Sequence, residues 1–119
     1  MKKILIIEDN PMVANALQFR LLKDGYTIVM AADGREAKKN FHEDSFQLVI
    51  TDLMLPFVSG TELIEYIKKK HKDLPIIVLS TANQEEIIMN AFELGVDDFV
   101  TKPFSPNELL LRVKRTIGK

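Results

Sequence analysis

Five short apolar runs, each followed by a segment of helical period, constrain this chain more than any other feature. The runs are Ile4–Ile7, Tyr26–Ala31, Leu48–Ile50, Ile76–Leu79 and Phe99-Val100. Runs this short and this continuously apolar read as strands buried on both faces, the signature of a parallel sheet covered by helices. The intervening segments carry helix signals. Asn10-Pro11 supplies an N-cap and a first-turn proline, a stripe of Val13, Ala16, Leu17, Phe19, Leu21 and Leu22 follows, and Gly25 stops it. Asp33-Gly34 caps a helix over Arg35–Glu43 that carries Ala37 and Phe41. Thr61–Lys70 presents Leu63, Ile64 and Ile67, and Gln84–Leu94 ends at Gly95. Ser105-Pro106 starts a last helix with Leu109, Leu110, Val113 and Ile117 on one side, and Ser105 with Glu108 has the spacing of a capping box. A βα unit repeated five times predicts a doubly wound α/β fold, one domain over residues 1–119.

Composition removes several function classes. Apolar residues make up 46% of the 119, enough for one core, and the formal net charge of −1 gives no global attraction to nucleic acid or membrane. There is no cysteine, so disulfides and thiolate metal sites are excluded. The opening apolar run stops at Glu8-Asp9, too soon for a secretory signal, and no segment reaches the ~20 apolar residues of a membrane span. The chain is read as cytoplasmic.

Open α/β sheets bind ligands beyond the carboxyl ends of their strands. Polar residues stand there in this sequence: Glu8-Asp9 after strand one, Asp52 after strand three, Ser80-Thr81 after strand four and Lys102 after strand five. Three carboxylates brought together raise one another's pKa, and a bound divalent cation relieves them. An all-oxygen set without imidazole or thiolate favours Mg²⁺, with Mn²⁺ as the other choice. Mg²⁺ sites commonly include phosphate oxygens, which a lysine and a hydroxyl can also hold. One of the carboxylates can then act as nucleophile and form an acyl phosphate.

Ile-Ile-Glu-Asp-Asn at 6–10, Thr-Asp-Leu-Met-Leu-Pro at 51–56, Gly60, Val-Leu-Ser at 78–80 and Asp-Asp-Phe-Val-Thr-Lys-Pro-Phe at 97–104 resemble the response regulator receiver family of two-component signalling. The resemblance runs through the whole chain in order. It implies a flavodoxin-like three-layer sandwich with strand order 2-1-3-4-5. It implies that Asp52 takes a phosphoryl group from a histidine kinase or phosphotransfer protein, that Glu8, Asp9, Asp52 and the backbone carbonyl of Met54 hold Mg²⁺, and that Lys102 pairs with the phosphate, or with Asp52 before phosphorylation. Ser80 matches the family's hydroxyl switch by its spacing to Lys102 and is preferred to Thr81. Phe99, three residues before Lys102, matches the aromatic switch.

The same resemblance implies that the surface of helix 4, strand 5 and helix 5 changes on phosphorylation and controls an output domain or partner. That face includes Asp97, Asp98, Glu108, Arg112 and Arg115. The Leu-Met-Leu-Pro and Thr-Lys-Pro-Phe-Ser-Pro segments look most like receivers of winged-helix transcription regulators, which dimerise through this face. Ile88 stands where that subgroup tends to carry a basic residue. Met54 and Ala82, two residues beyond Asp52 and Ser80, are both apolar, so a long-lived phosphorylated state is expected.

Two other readings compete. Phosphatases with an aspartate nucleophile place a second aspartate two residues on; Met54 stands there, so turnover of an external substrate is not expected. A receiver-shaped interaction module working without phosphorylation is the other. A stand-alone receiver, a piece of a longer regulator and the receiver of a hybrid kinase all fit the sequence. Blander roles are assigned elsewhere. Lys68–Lys72 reads as a solvated helix end, His42 and His71 as surface residues, and Phe41, Phe46 and Phe92 as core. Phe57 is read as exposed beside the site, and one of Ile87, Ile88 and Met89 as facing outward.

Overall fold

The computed structural model describes residues 2–118. Ten elements alternate: β1 Lys3–Ile7, α1 Pro11–Lys23, β2 Thr27–Ala31, α2 Gly34–Glu43, β3 Leu48–Asp52, α3 Gly60–Lys70, β4 Ile76–Ser80, α4 Glu85–Glu93, β5 Asp98–Thr101 and α5 Pro106–Ile117. The strands form one parallel sheet in the order β2-β1-β3-β4-β5, the flavodoxin-like arrangement.

The pleat divides the core in two. Leu5 and Ile7, Val49, and Ile76 and Val78 pack against Ala37 of α2, Leu63, Ile64 and Ile67 of α3 and Ala91 of α4. Ile4 and Ile6, Leu48 and Ile50, Ile77 and Leu79, and Val100 pack against Leu17 and Leu21 of α1 and Leu109, Leu110 and Val113 of α5. Successive residues of a strand point to opposite faces, so the apolar strand residues divide between the two layers. Burying each such aliphatic side chain contributes about 1.5–3 kcal/mol. Edge strand β2 is only half-buried over Thr27–Met30.

The helices start where their caps dictate. Asn10 Oδ1 accepts from the amides of Met12 and Val13, Asp33 from Glu36, Ser59 from Glu62 and Ser105 from Glu108. Gln84 flanks α4 without a side-chain cap bond. The capping box of α5 is only half formed, because the Glu108 carboxylate turns to Arg112 instead.

Three expectations need correction. The inner stripe of α1 is Ala14, Leu17 and Leu21; Ala16, Phe19 and Leu22 are exposed. Apolar residues lie all around this helix, and Leu17 with Leu21 sets the phase. Phe92 faces out from α4 rather than joining the core. Lys68 is not a free solvated charge, since its ammonium donates to the carbonyls of Leu74 and, at 3.4 Å, Lys72. His42 and His71 are exposed, with His71 stacked on the half-buried Phe41. Phe46 is buried and Phe57 exposed, and Met89 is the outward member of the 87–89 trio. Among the described residues no helix is long and apolar enough to cross a membrane.

Candidate functional site

The alternation that builds the core also assembles the site. Glu8 follows Ile4 and Ile6 by steps of two, Asp52 follows Leu48 and Ile50, and Lys102 follows Val100. All three carry the phase of the α1/α5 layer, and all stand at carboxyl ends of adjacent or near strands. They meet there. The Lys102 Nζ lies 2.6 Å from Asp52 Oδ2 and 2.7 Å from Glu8 Oε1. Each carboxylate's second oxygen accepts a backbone amide: Asp52 Oδ1 from Met54 at 3.0 Å, Glu8 Oε2 from Asn10 at 3.1 Å. Glu8 and Asp52 are buried while Asp9 is exposed, which leaves one solvent-facing side to the pocket.

Burial by itself would lower the Lys102 ammonium's pKa. Its hydrogen bonds to Asp52 and Glu8 outweigh that and raise it above the ordinary lysine value. Lysine is therefore charged here throughout the physiological range. Even so, one ammonium faces three carboxylates.

Ligand oxygens of Glu8, Asp9 and Asp52 all lie within 4.8 Å of one another. An excess of negative charge, hard oxygen donors and one exposed side suit a small divalent cation of the Mg²⁺ kind. Met54 presents its amide to Asp52 from the loop that follows β3.

Ser80 and Thr81 separate clearly. Ser80 is fully buried at the end of β4, and its Oγ accepts from the Ala82 amide at 3.1 Å; Thr81 is exposed. Ser80 carries the phase of Ile76 and Val78, so it points to the α2/α3/α4 layer. Phe99 pairs with Val78 in the β4–β5 register and packs, half-buried, on that same cluster. The two switch candidates thus share a face of the sheet, opposite to that of Asp52 and Lys102.

Sequence reading missed two features. One is the double engagement of Lys102 with Glu8 as well as Asp52, a contact 94 residues apart in the chain. The other is the backbone of the β3–α3 loop. Phe57 has φ +70°, and the Val58 N–H donates to the Pro56 carbonyl at 2.8 Å, closing a γ-turn of the rare positive-φ type. Such a conformation costs about 1–3 kcal/mol for a residue other than glycine. A proline–aromatic pair before a glycine is a weak signal for a turn and none for its sign.

Residues 4–114 match the family model of the response regulator receiver domain. Among solved structures, the non-phosphorylated receiver domain of HemR from Leptospira biflexa superposes with a TM-score of 0.94 at 36% identity, covering 100% of this chain and 96% of that one. The receiver domain of a signal transduction histidine kinase from Syntrophus aciditrophicus gives 0.90 at 31%, with 99% and 91% covered. The chemotaxis response regulator CheY4 of Vibrio cholerae gives 0.90 at 29%, with 97% and 98% covered.

Proposed function

The chain belongs to the response regulator receiver domain family, and from that premise we infer that it is a phosphoacceptor switch whose acceptor is Asp52. The observation that carries this is the pairing of a buried Asp52 with both Lys102 and the Met54 amide at the open end of the sheet. A carboxylate needs one free oxygen lone pair to attack phosphorus, and Asp52 keeps such capacity on both oxygens. In the proposed step an Asp52 oxygen bonds to phosphorus as the donor's phosphorus–nitrogen bond breaks. The donor is the phosphohistidine of a histidine kinase or phosphotransfer protein. Lys102 stays charged and moves from the carboxylate to the new phosphoryl oxygens.

Glu8, Asp9 and Asp52 are the residues that would hold Mg²⁺, with the Met54 carbonyl as a further ligand. When bound, the ion neutralises the excess charge and the phosphoryl oxygens. The chain's own residues do the rest: Glu8 anchors Lys102 and the Asn10 amide, Asp52 is fixed by the Met54 amide, and the buried strand ends limit water to one side.

Phosphorylation adds charge and acceptor oxygens at Asp52, which ends β3 as Ser80 ends the adjacent β4. In this reading the Ser80 hydroxyl leaves the Ala82 amide for a phosphoryl oxygen, and Phe99, on the same face, repacks. The α4-β5-α5 face then presents a second arrangement to an output domain, a partner or a second copy of the chain. The Leu-Met-Leu-Pro and Thr-Lys-Pro-Phe-Ser-Pro segments support the narrower assignment to a winged-helix transcription regulator. The protein turns over no external substrate in this account. The cytoplasm is its proposed place of work, and residues 1–119 are read as one receiver domain.

Incubation with acetyl phosphate and Mg²⁺ tests the assignment. The intact mass rises by one phosphoryl group in wild type and stays unchanged in Asp52→Asn. Equal labelling of the two would refute Asp52 as the acceptor.

A further inference from the structure

The loop between β3 and α3 is pinned at both ends. A Cβ on Gly60 would stand 2.4 Å from Leu53 Cα and 2.6 Å from the Asp52 carbonyl oxygen, and the Gly60 amide donates to the Leu53 carbonyl at 2.9 Å. A Cβ on Gly34, in the first turn of α2, would stand 2.5 Å from Val58 Cβ. The close approach needs glycine at both places. Between these pins sits Phe57, exposed and in the left-handed region. A bulky residue keeps that conformation only where its surroundings over-determine it.

Its ring has one conspicuous neighbour. The Arg35 guanidinium lies 3.5 Å from the ring centroid, close for a cation–π contact. Arg35 follows Gly34 directly, so the same helical turn that packs on Val58 also covers Phe57. Among the described residues Arg35 has no carboxylate within ion-pair distance, whereas Arg20 and Arg115 each have one and Arg112 has two. The guanidinium is committed to the ring.

We propose that Arg35 is a positioning residue for phosphoryl capture. Stacked on Phe57, it holds the strained turn, and with it the loop that sets the Met54 amide against Asp52. Without the stack the γ-turn relaxes, and the loop spends time in conformers where that amide no longer meets the carboxylate. The inference rests on Asp52 being the acceptor, and it adds a residue from α2 that no strand end supplies.

The test is a double-mutant cycle read as initial phosphorylation rate with acetyl phosphate and Mg²⁺. An exposed cation–π contact corresponds to about a two- to fivefold shift in an equilibrium, so Arg35→Ala is expected to slow labelling by about that factor. Arg35→Lys, which can still place a cation on the ring, regains most of the rate. In Phe57→Gly the backbone adopts the positive φ without strain and the ring is gone; there, Arg35→Ala changes nothing. Wild-type rates in Arg35→Ala overturn the inference, and so does the same loss in both backgrounds, which would mean that charge rather than stacking is felt. A wild type that takes no phosphoryl group removes the Asp52 reading itself, a separate failure.

Discussion

Two clusters of acids and bases lie on this sheet's margin, and they are built on opposite principles. On the outer side of β5, Asp98 accepts from Arg112 and Arg115, and Glu108 shares Arg112. Two carboxylates meet two guanidinia there, and both oxygens of Asp98 are engaged. Glu108 and then Asp98 raise the Arg112 pKa. At the carboxyl end of the sheet, three carboxylates meet one ammonium, and two of those carboxylates are buried. The first cluster is balanced and partly solvated, which makes it structural. The second is left short of positive charge where desolvation makes charge most felt. The lesson is that chemistry is to be sought where charges are gathered and not cancelled.

Removing Lys102 should give the largest stability effect that separates the two. Lys102→Met strands Glu8 and Asp52, and breaking a buried pair in this way costs about 3–5 kcal/mol. Chemical denaturation in metal-free buffer measures it. The difference from wild type should shrink as pH rises above 10.5. A lysine whose folded pKa is raised contributes stability that is complete below its unfolded value and is lost through its folded one. A pH-independent difference would show that the methylene stem, not the charge, carries the contribution.

Divalent cation should act on one cluster alone. Mg²⁺ at tenfold over its Kd stabilises a single-site protein by about 1.4 kcal/mol, read as an upward shift of the thermal midpoint. Asp9→Asn should diminish that shift and Arg112→Ala should leave it intact. Smaller still is the loss from Arg112→Ala itself. Pairs of this partly exposed kind contribute about 0.2–1 kcal/mol, and Asp98 keeps Arg115. An effect as large as that of Lys102→Met would erase the distinction between the two clusters.

The sequence told the two regions apart unevenly. Strands were legible because a two-sided sheet demands continuous apolar runs, and Ile4–Ile7 and Ile76–Leu79 are nothing else. Their ends were legible because Glu8 and Ser80 interrupt those runs directly, and Asp52 and Lys102 follow theirs after one threonine. The α1 stripe was not, since Ala16, Phe19 and Leu22 offer a second apolar side that local periodicity cannot reject. Nor could spacing reveal that Lys102 serves Glu8 as well as Asp52, because that contact depends on pleat phase in strands far apart in sequence. Phe57 was placed correctly as exposed, but its positive φ goes with the close approaches at Gly34 and Gly60 and with the Arg35 contact, none of which composition encodes.

The most direct measurement is intact mass after acetyl phosphate treatment, with Mg²⁺ and with a chelator in its place. A pocket short of positive charge should admit the phosphoryl dianion only when a divalent ion is present, so one added phosphoryl group with Mg²⁺ and essentially none with chelator is the expected result. Equal labelling under both conditions would contradict the account, because Lys102 alone would then suffice.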